Sequence, residues 1–190
     1  MVPLAELWLP VILSAVLVFL VSSILHMVFT YHKSDFSQFP SEAQVQDSLR
    51  PLAIPPGDYM IPWAQSMEAS KSPEFQQKLV QGPVMIATVL PNGPFNMGKN
   101  LGQWFGYSLI VSFFAAYLCS RVLPSGTSYL MVFRVAGTVA FAGYSLALMQ
   151  SSIWGGKKWR TTFLSMIDGL IYALVTGGSF GMLWPDGSIG

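Results

Sequence analysis

The sequence predicts an all-α membrane protein, with four transmembrane helices in a bundle and a proline-rich insertion between the first helix and the second. Three observations predict this class. Charged residues make up only 10% of the 190 residues, whereas soluble domains contain about 25%. Four segments are long and apolar enough to cross a hydrocarbon core of about 30 Å. Most of the charged residues lie between the first two of these segments.

The predicted spans run approximately over residues 8–30, 101–119, 129–150 and 163–184. Glu6, rather than a basic region, precedes the first span, and no small-residue cleavage site follows it. We therefore expect a retained anchor and not a cleaved signal peptide. The chain is thus divided into an N-terminus with the first helix (1–30), a polar insertion (31–99), and the remaining three helices with short turns (100–190).

The distribution of basic residues predicts the orientation, because Lys and Arg are enriched in cytoplasmic loops. Lys33 and Lys99 flank the insertion. The turn between the third and fourth spans contains three more basic residues, Lys157, Lys158 and Arg160. We therefore expect residues 31–99 in the cytoplasm and both termini on the opposite side of the membrane.

The insertion carries start and stop signals for two short helices. Ser41, followed three residues later by Gln44, is a capping-box pattern, and Pro51 marks the end of that helix. Ser72 precedes a proline at the first helical position, and Gly82 is a stop signal for the second helix.

Two further runs in the insertion, 58–63 and 84–90, are typical of short extended segments bounded by Pro or Gly. We expect a small ordered cap of two helices and a two-stranded ribbon against the cytoplasmic ends of the spans. The alternative is a proline-rich linker without fixed structure.

Two sequence runs carry a resemblance to a known group of proteins. They are Leu52-Ala53-Ile54-Pro55-Pro56-Gly57-Asp58-Tyr59-Met60 and Pro91-Asn92-Gly93-Pro94-Phe95. Together with the four-span layout, they make most of the chain similar to an uncharacterised family of small bacterial inner-membrane proteins. The resemblance implies a bacterial inner membrane and implies no activity. With the orientation predicted from the basic residues, both termini are then expected to be periplasmic.

Small residues at four-residue spacing predict where the helices pack, because close contact replaces the hydrophobic effect within lipid. The fourth span carries one such stripe, Gly169, Ala173, Gly177 and Gly181. A second stripe leads into the second span, Gly98, Gly102 and Gly106. We expect seams between helices of one chain, with a face left over for a second copy or for other membrane subunits.

Three ionisable residues within the spans, His26, Arg134 and Asp168, are candidate functional residues, because such groups are costly in lipid. At a rise of about 1.5 Å per residue, His26 and Asp168 lie at similar depth towards the cytoplasm and Arg134 lies towards the other side. We therefore predict a His26–Asp168 pair that relays a proton or holds a polar ligand, or else only fixes the helix packing. Arg134 is expected to anchor its helix at the headgroups or to contact an anionic ligand.

Other chemistry finds little support in the sequence. A single cysteine excludes an internal disulfide, and a net charge of +1 argues against nucleic-acid binding. We expect His26 and His32 to point in different directions, so no metal or haem site is predicted within one chain. The sequence from Gly177 to Gly181 matches a G-x-S-x-G nucleophile pattern, but it lies within a helix and is part of the glycine stripe. No catalytic residue and no cofactor is identified.

Three functional hypotheses remain open. The favoured one is a non-enzymatic accessory or scaffold subunit of a larger membrane complex. The second is a small oligomeric transporter or channel with a polar inner vestibule at His26 and Asp168. The third is a membrane redox or lipid-modifying enzyme that shares its cofactor with another subunit. The expected partners are the lipid bilayer and either further copies or other membrane subunits.

Overall fold

The computed structural model describes residues 1–186, and the chain divides into two units. The first unit, the helix bundle, contains residues 1–36 and the chain from residue 96 onward. The second, the loop unit, contains residues 37–95. Residues 187–190, the end of the last predicted segment, lie outside the described part.

The helix bundle contains four helical segments long and apolar enough to cross a membrane, Leu4–Val28, Met97–Val122, Tyr129–Ile153 and Trp159–Met182. We call them the first to fourth spans. They confirm the predicted fold class and fit a multi-pass integral membrane protein.

The second and fourth spans begin four residues earlier than the sequence predicts. Asn96 caps the second span, since its side-chain oxygen accepts a hydrogen bond from the amide of Lys99 at 3.0 Å. The fourth span begins at Trp159, directly after Lys158. The predicted spans were too short because they were drawn around apolar residues alone, whereas these helices begin within polar sequence.

The third span is interrupted, which the sequence did not predict. It consists of an α-helix, Tyr129–Tyr144, a 3₁₀ turn, Leu146–Leu148, and a short α-helix, Met149–Ile153. Ser145 lies at the interruption, is buried, and donates a hydrogen bond to the carbonyl of Met166 in the fourth span at 3.2 Å. The interruption therefore lies where the third span contacts the fourth span, through two residues that are far apart in the sequence.

Polar side chains join the spans within the bundle. Ser14 and Ser112 share a buried hydrogen bond of 2.9 Å between the first and second spans. The indole of Trp104 donates to Ser22 Oγ at 2.8 Å, again between these two spans. Such bonds between spans help to fix which helix faces neighbour one another.

The stripe on the fourth span lies against the third span. A Cβ added at Gly177 would come within 2.8 Å of the carbonyl oxygen of Phe133, and one at Gly181 within 2.7 Å of the ring of Tyr129. Only a residue without a side chain allows this approach.

The stripe at Gly98, Gly102 and Gly106 has different surroundings. A Cβ at Gly102 or Gly106 would meet nothing within 4 Å, and one at Gly98 would meet only its neighbour Asn96. Among the described residues these three glycines do not form a close seam between helices. The spacing of small residues did not predict this, because it does not specify which face of a helix another helix covers.

The loop unit contains α-helices at Glu42–Leu49, Met67–Ser70 and Pro73–Gln81, a 3₁₀ turn at Arg50–Leu52, and two antiparallel strands, Gly57–Ile61 and Met85–Val89. The predicted ribbon is confirmed, with Tyr59 opposite Ala87. Ser72 caps its helix as predicted, accepting a hydrogen bond from the amide of Phe75 at 3.1 Å. Ser41 precedes the first of these helices, but its side chain makes no capping hydrogen bond.

Candidate functional site

The candidate site begins where the first span ends and the chain turns back. The helix ends at Val28, Phe29 is extended, and a 3₁₀ turn follows at Tyr31–Ser34. This turn places the ring of His32 against that of His26, with 4.7 Å between ring centroids. The expectation that the two histidines point in different directions was wrong, because His32 does not continue the helix that carries His26.

Asp168 in the fourth span is the centre of the site. The residue is only 2% exposed. The hydroxyl of Tyr31 donates a short hydrogen bond to Oδ1, and the Nε2 atom of His32 lies 2.6 Å from Oδ2. Both carboxylate oxygens therefore have partners from the turn after the first span, so that the turn is held on the fourth span.

A second carboxylate completes this network. Asp35 Oδ2 lies 2.7 Å from His32 Nδ1, so the imidazole stands between two carboxylates. The other oxygen of Asp35 is buried and has no hydrogen-bond partner among the described residues. Nearby, Arg160 donates a short hydrogen bond to Ser34 Oγ and so links the end of the turn to the start of the fourth span.

The carboxylates perturb the two groups of the turn. Burial, the hydrogen bond to Asp168 and the charge of Asp168 together raise the pKa of Tyr31 to about 12. Burial alone would lower the pKa of His32, but the hydrogen bonds to Asp35 and Asp168 outweigh it and raise that pKa above 6.5. The site therefore favours a neutral Tyr31 and a proton held on His32.

His26 lies beside this network rather than within it. Its side chain is exposed, and no hydrogen bond reaches it from residues 1–186. One potential ligand atom from each of His26, His32 and Asp168 nevertheless lies within 4.8 Å of the others. The three side chains are therefore placed as potential ligands of one metal ion, whereas the sequence predicted no metal site.

The predicted site residues thus fall into two places. His26 and Asp168 come close together, but the direct partners of Asp168 are Tyr31 and His32. Arg134 is exposed on the third span and is not part of this network. The functional roles predicted for all three residues stay predictions.

Tyr31, His32 and Asp35 were not predicted to be members of the site. The available signal was the run of polar and aromatic residues from Tyr31 to Asp35 directly after an apolar span. Its meaning depends on the turn at Phe29 and Thr30, and no glycine or proline marks that turn. The run was therefore assigned to the insertion, although it belongs to the helix bundle.

Comparison of this chain with models of protein families, with curated proteins and with solved structures gives no match. The resemblance to small bacterial four-span proteins accordingly stays a prediction. A function has to be argued from the residues of the two units themselves.

Proposed function

We propose that the protein is a non-enzymatic accessory or scaffold subunit of a bacterial inner-membrane complex, and that its loop unit binds the protein partner. The observation that carries this proposal is the exposure of the loop unit. Between residues 37 and 95, all of which the structure describes, no side chain is fully buried. Large apolar side chains of this unit are instead exposed, among them Phe39, Leu52, Trp63, Met67, Val80 and Phe95.

The extent of this exposure supports binding. Trp63 is 72% exposed and Val80 is 88% exposed. Exposed tryptophan is typical of the centres of protein interfaces, where aromatic residues contribute much of the binding energy. An ordered ribbon and capped helices that display such side chains are suited to presenting them to another surface.

The charge of the loop unit favours binding to a protein over binding to the lipid surface. Residues 37–95 contain five acidic and three basic residues, a net charge of −2. The cytoplasmic leaflet is negatively charged and attracts basic segments. We therefore propose a partner that presents an apolar surface flanked by basic residues.

The proposed location of the loop unit is the cytoplasm, with both termini periplasmic, on the basis of the basic residues that flank it. Cysteine labelling tests this placement, because the single native cysteine, Cys119, is fully buried. A membrane-impermeant maleimide should label Ser125→Cys, in the turn after the second span, before the inner membrane is opened. It should label Ser48→Cys in the loop unit only afterwards, and the reverse order would contradict the placement.

Site-specific photo-crosslinking tests the function. A photoreactive amino acid at Trp63 or Val80 of the full chain, expressed in its native membrane, should crosslink to one distinct polypeptide. The matched control is the same amino acid at Gln46, an exposed polar position of the loop unit, and it should give much less of that product. Crosslinks from Trp63 and Val80 to lipid or to other copies of this chain alone would overturn the proposal.

A second candidate function, a small oligomeric transporter, is favoured by a different observation. Asp168 is a buried carboxylate in a span, close to two histidines, and such groups often mark ion or proton pathways. Reconstituted vesicles test it with a pH-sensitive dye inside. Proton flux that Asp168→Asn abolishes would support transport, and vesicles no leakier than protein-free ones would exclude this candidate.

A further inference from the structure

We propose that His26, His32 and Asp168 bind one divalent transition-metal ion, with Asp35 as the carboxylate that orients His32. Two imidazoles and one carboxylate are a common ligand set for Zn²⁺ and for Fe²⁺. The proposal goes beyond the accessory role and does not depend on it.

The distances are close to those that a metal ion needs. Tetrahedral Zn²⁺, with bonds of about 2.0–2.2 Å, places its ligand atoms about 3.3 Å apart. His32 Nε2 and Asp168 Oδ2, now 2.6 Å apart, would separate by less than about 1 Å to admit the ion. One potential ligand atom from each of the three side chains lies within 4.8 Å of the others, and the side chain of His26 is exposed.

The hydrogen bonds around the site leave the correct atoms available. Metal-binding histidines usually donate their second ring N–H to a carboxylate, which fixes the tautomer and the ring orientation. Asp35 holds Nδ1 of His32 in this way at 2.7 Å and so leaves Nε2 for the metal. Tyr31 donates to Oδ1 of Asp168 and leaves Oδ2, the oxygen that faces His32.

The charge of the site also favours a cation. Asp35 and Asp168 lie 2.7 Å and 2.6 Å from the two nitrogens of one imidazole, so two carboxylates concentrate negative potential at the site. The buried oxygen of Asp35 that lacks a partner among the described residues adds to this negative potential. A divalent ion between His32 and Asp168 would place two positive charges beside these two carboxylates.

Three protein ligands leave at least one coordination position open. Catalytic zinc sites have this arrangement, with water or an oxygen-containing ligand in the fourth position, whereas structural zinc sites are closed by four protein ligands. The site therefore has the form of a metal centre that binds a small exogenous ligand.

Metal binding by the purified full chain tests the proposal. The protein is extracted in mild detergent, stripped with a chelator and titrated with Zn²⁺ by calorimetry. One ion per chain is expected, and His26→Ala should lower the affinity by at least about 100-fold, because losing a group that merely orients a ligand already costs about 10–100-fold. Asp35→Asn should lower the Zn²⁺ affinity by the smaller factor of about 10–100-fold.

His26→Ala is the decisive variant because the folded chain does not depend on this side chain for a hydrogen bond within residues 1–186. The matched control is Ile24→Ala, an exposed position on the same helix, which should bind Zn²⁺ like the unmodified protein. A Co²⁺-loaded sample should show ligand-field bands that His26→Ala removes. The absence of stoichiometric binding, or equal affinity in His26→Ala and Ile24→Ala, would overturn the proposal.

Photo-crosslinking from Trp63 distinguishes a failure of the proposed metal site from a failure of the proposed accessory role. We expect His26→Ala to lose metal while its crosslinks to the partner are unchanged. If the unmodified protein binds no metal but still crosslinks to the partner, the metal site alone is refuted. If the unmodified protein and all variants give no crosslinks to a partner but metal binding is as expected, only the accessory role is refuted.

Discussion

The helix bundle and the loop unit differ in where they place their apolar and polar groups. In the bundle, side chains such as Phe180 and Val132 are fully buried. The buried Ser14 has a partner on another span, and the buried Asp168 has partners in the turn after the first span. In the loop unit no side chain is fully buried, and structure is maintained by the strand ladder, turns and helix caps. The bundle thus depends on packed side chains and on polar contacts between distant segments, and the loop unit depends on hydrogen bonds within its helices and turns and between its two strands.

The largest effect that this difference predicts is at the centre of the bundle. Phe180→Ala should destabilise the protein by about 3–5 kcal/mol, because it leaves a cavity in a packed core. Phe39→Ala in the loop unit, where the ring is already exposed, should change stability by less than about 0.5 kcal/mol. Unfolding in mixed micelles measures both. Equal effects would show that the two units do not differ in this way.

The candidate site should give the next largest effect. Asp168→Ala removes the acceptor of Tyr31 and the ion-pair partner of His32, and so it should cost about 1–3 kcal/mol. Asp168→Asn keeps an oxygen acceptor for Tyr31 and should cost less. Unfolding is measured with a chelator present, so that the stability lost with the hydrogen bonds of Asp168 is separated from any effect of metal binding. An Asp168→Ala variant as stable as the parent would show that the network does not hold the turn in place.

Two glycines test the seam between the third and fourth spans. Gly177→Ala should destabilise the bundle by about 1–3 kcal/mol, because the new methyl group would meet the backbone of Phe133. Gly102→Ala, on an open face of the second span, should be neutral or slightly stabilising, since alanine favours a helix. Thermal unfolding in one detergent compares them, and the opposite order would contradict the observed packing.

The smallest expected effect is local. Ser72→Ala removes the cap of the helix Pro73–Gln81 and should cost that helix about 1 kcal/mol. Hydrogen exchange of its amides should accelerate several-fold while amides of the four spans are unchanged. Slower or unchanged exchange in this helix would show that contacts other than the cap maintain it.

Several of the features predicted correctly depend on nearby residues. Continuous apolar runs identified four spans, and the Ser72-Pro73 pair identified a capped helix. The interruption at Ser145 was not predictable, because it accompanies a hydrogen bond to Met166, which lies on a different helix. Similarly, Asp168 was identified from its cost in lipid, whereas its partners Tyr31 and His32 depend on a turn that the local sequence does not mark.

The proposed function requires that the exposed apolar side chains of the loop unit bind a protein partner and are not needed for the fold of the bundle. Native mass measurement of the full chain, extracted mildly from its own membrane, tests it most directly when the parent is compared with a Trp63→Ser/Val80→Ser double variant. We expect a stoichiometric complex with a different polypeptide for the parent, loss of that polypeptide in the variant, and equal thermal stability of the two bundles. A parent chain without a protein partner, or a variant that retains the partner, would refute partner binding by the loop unit.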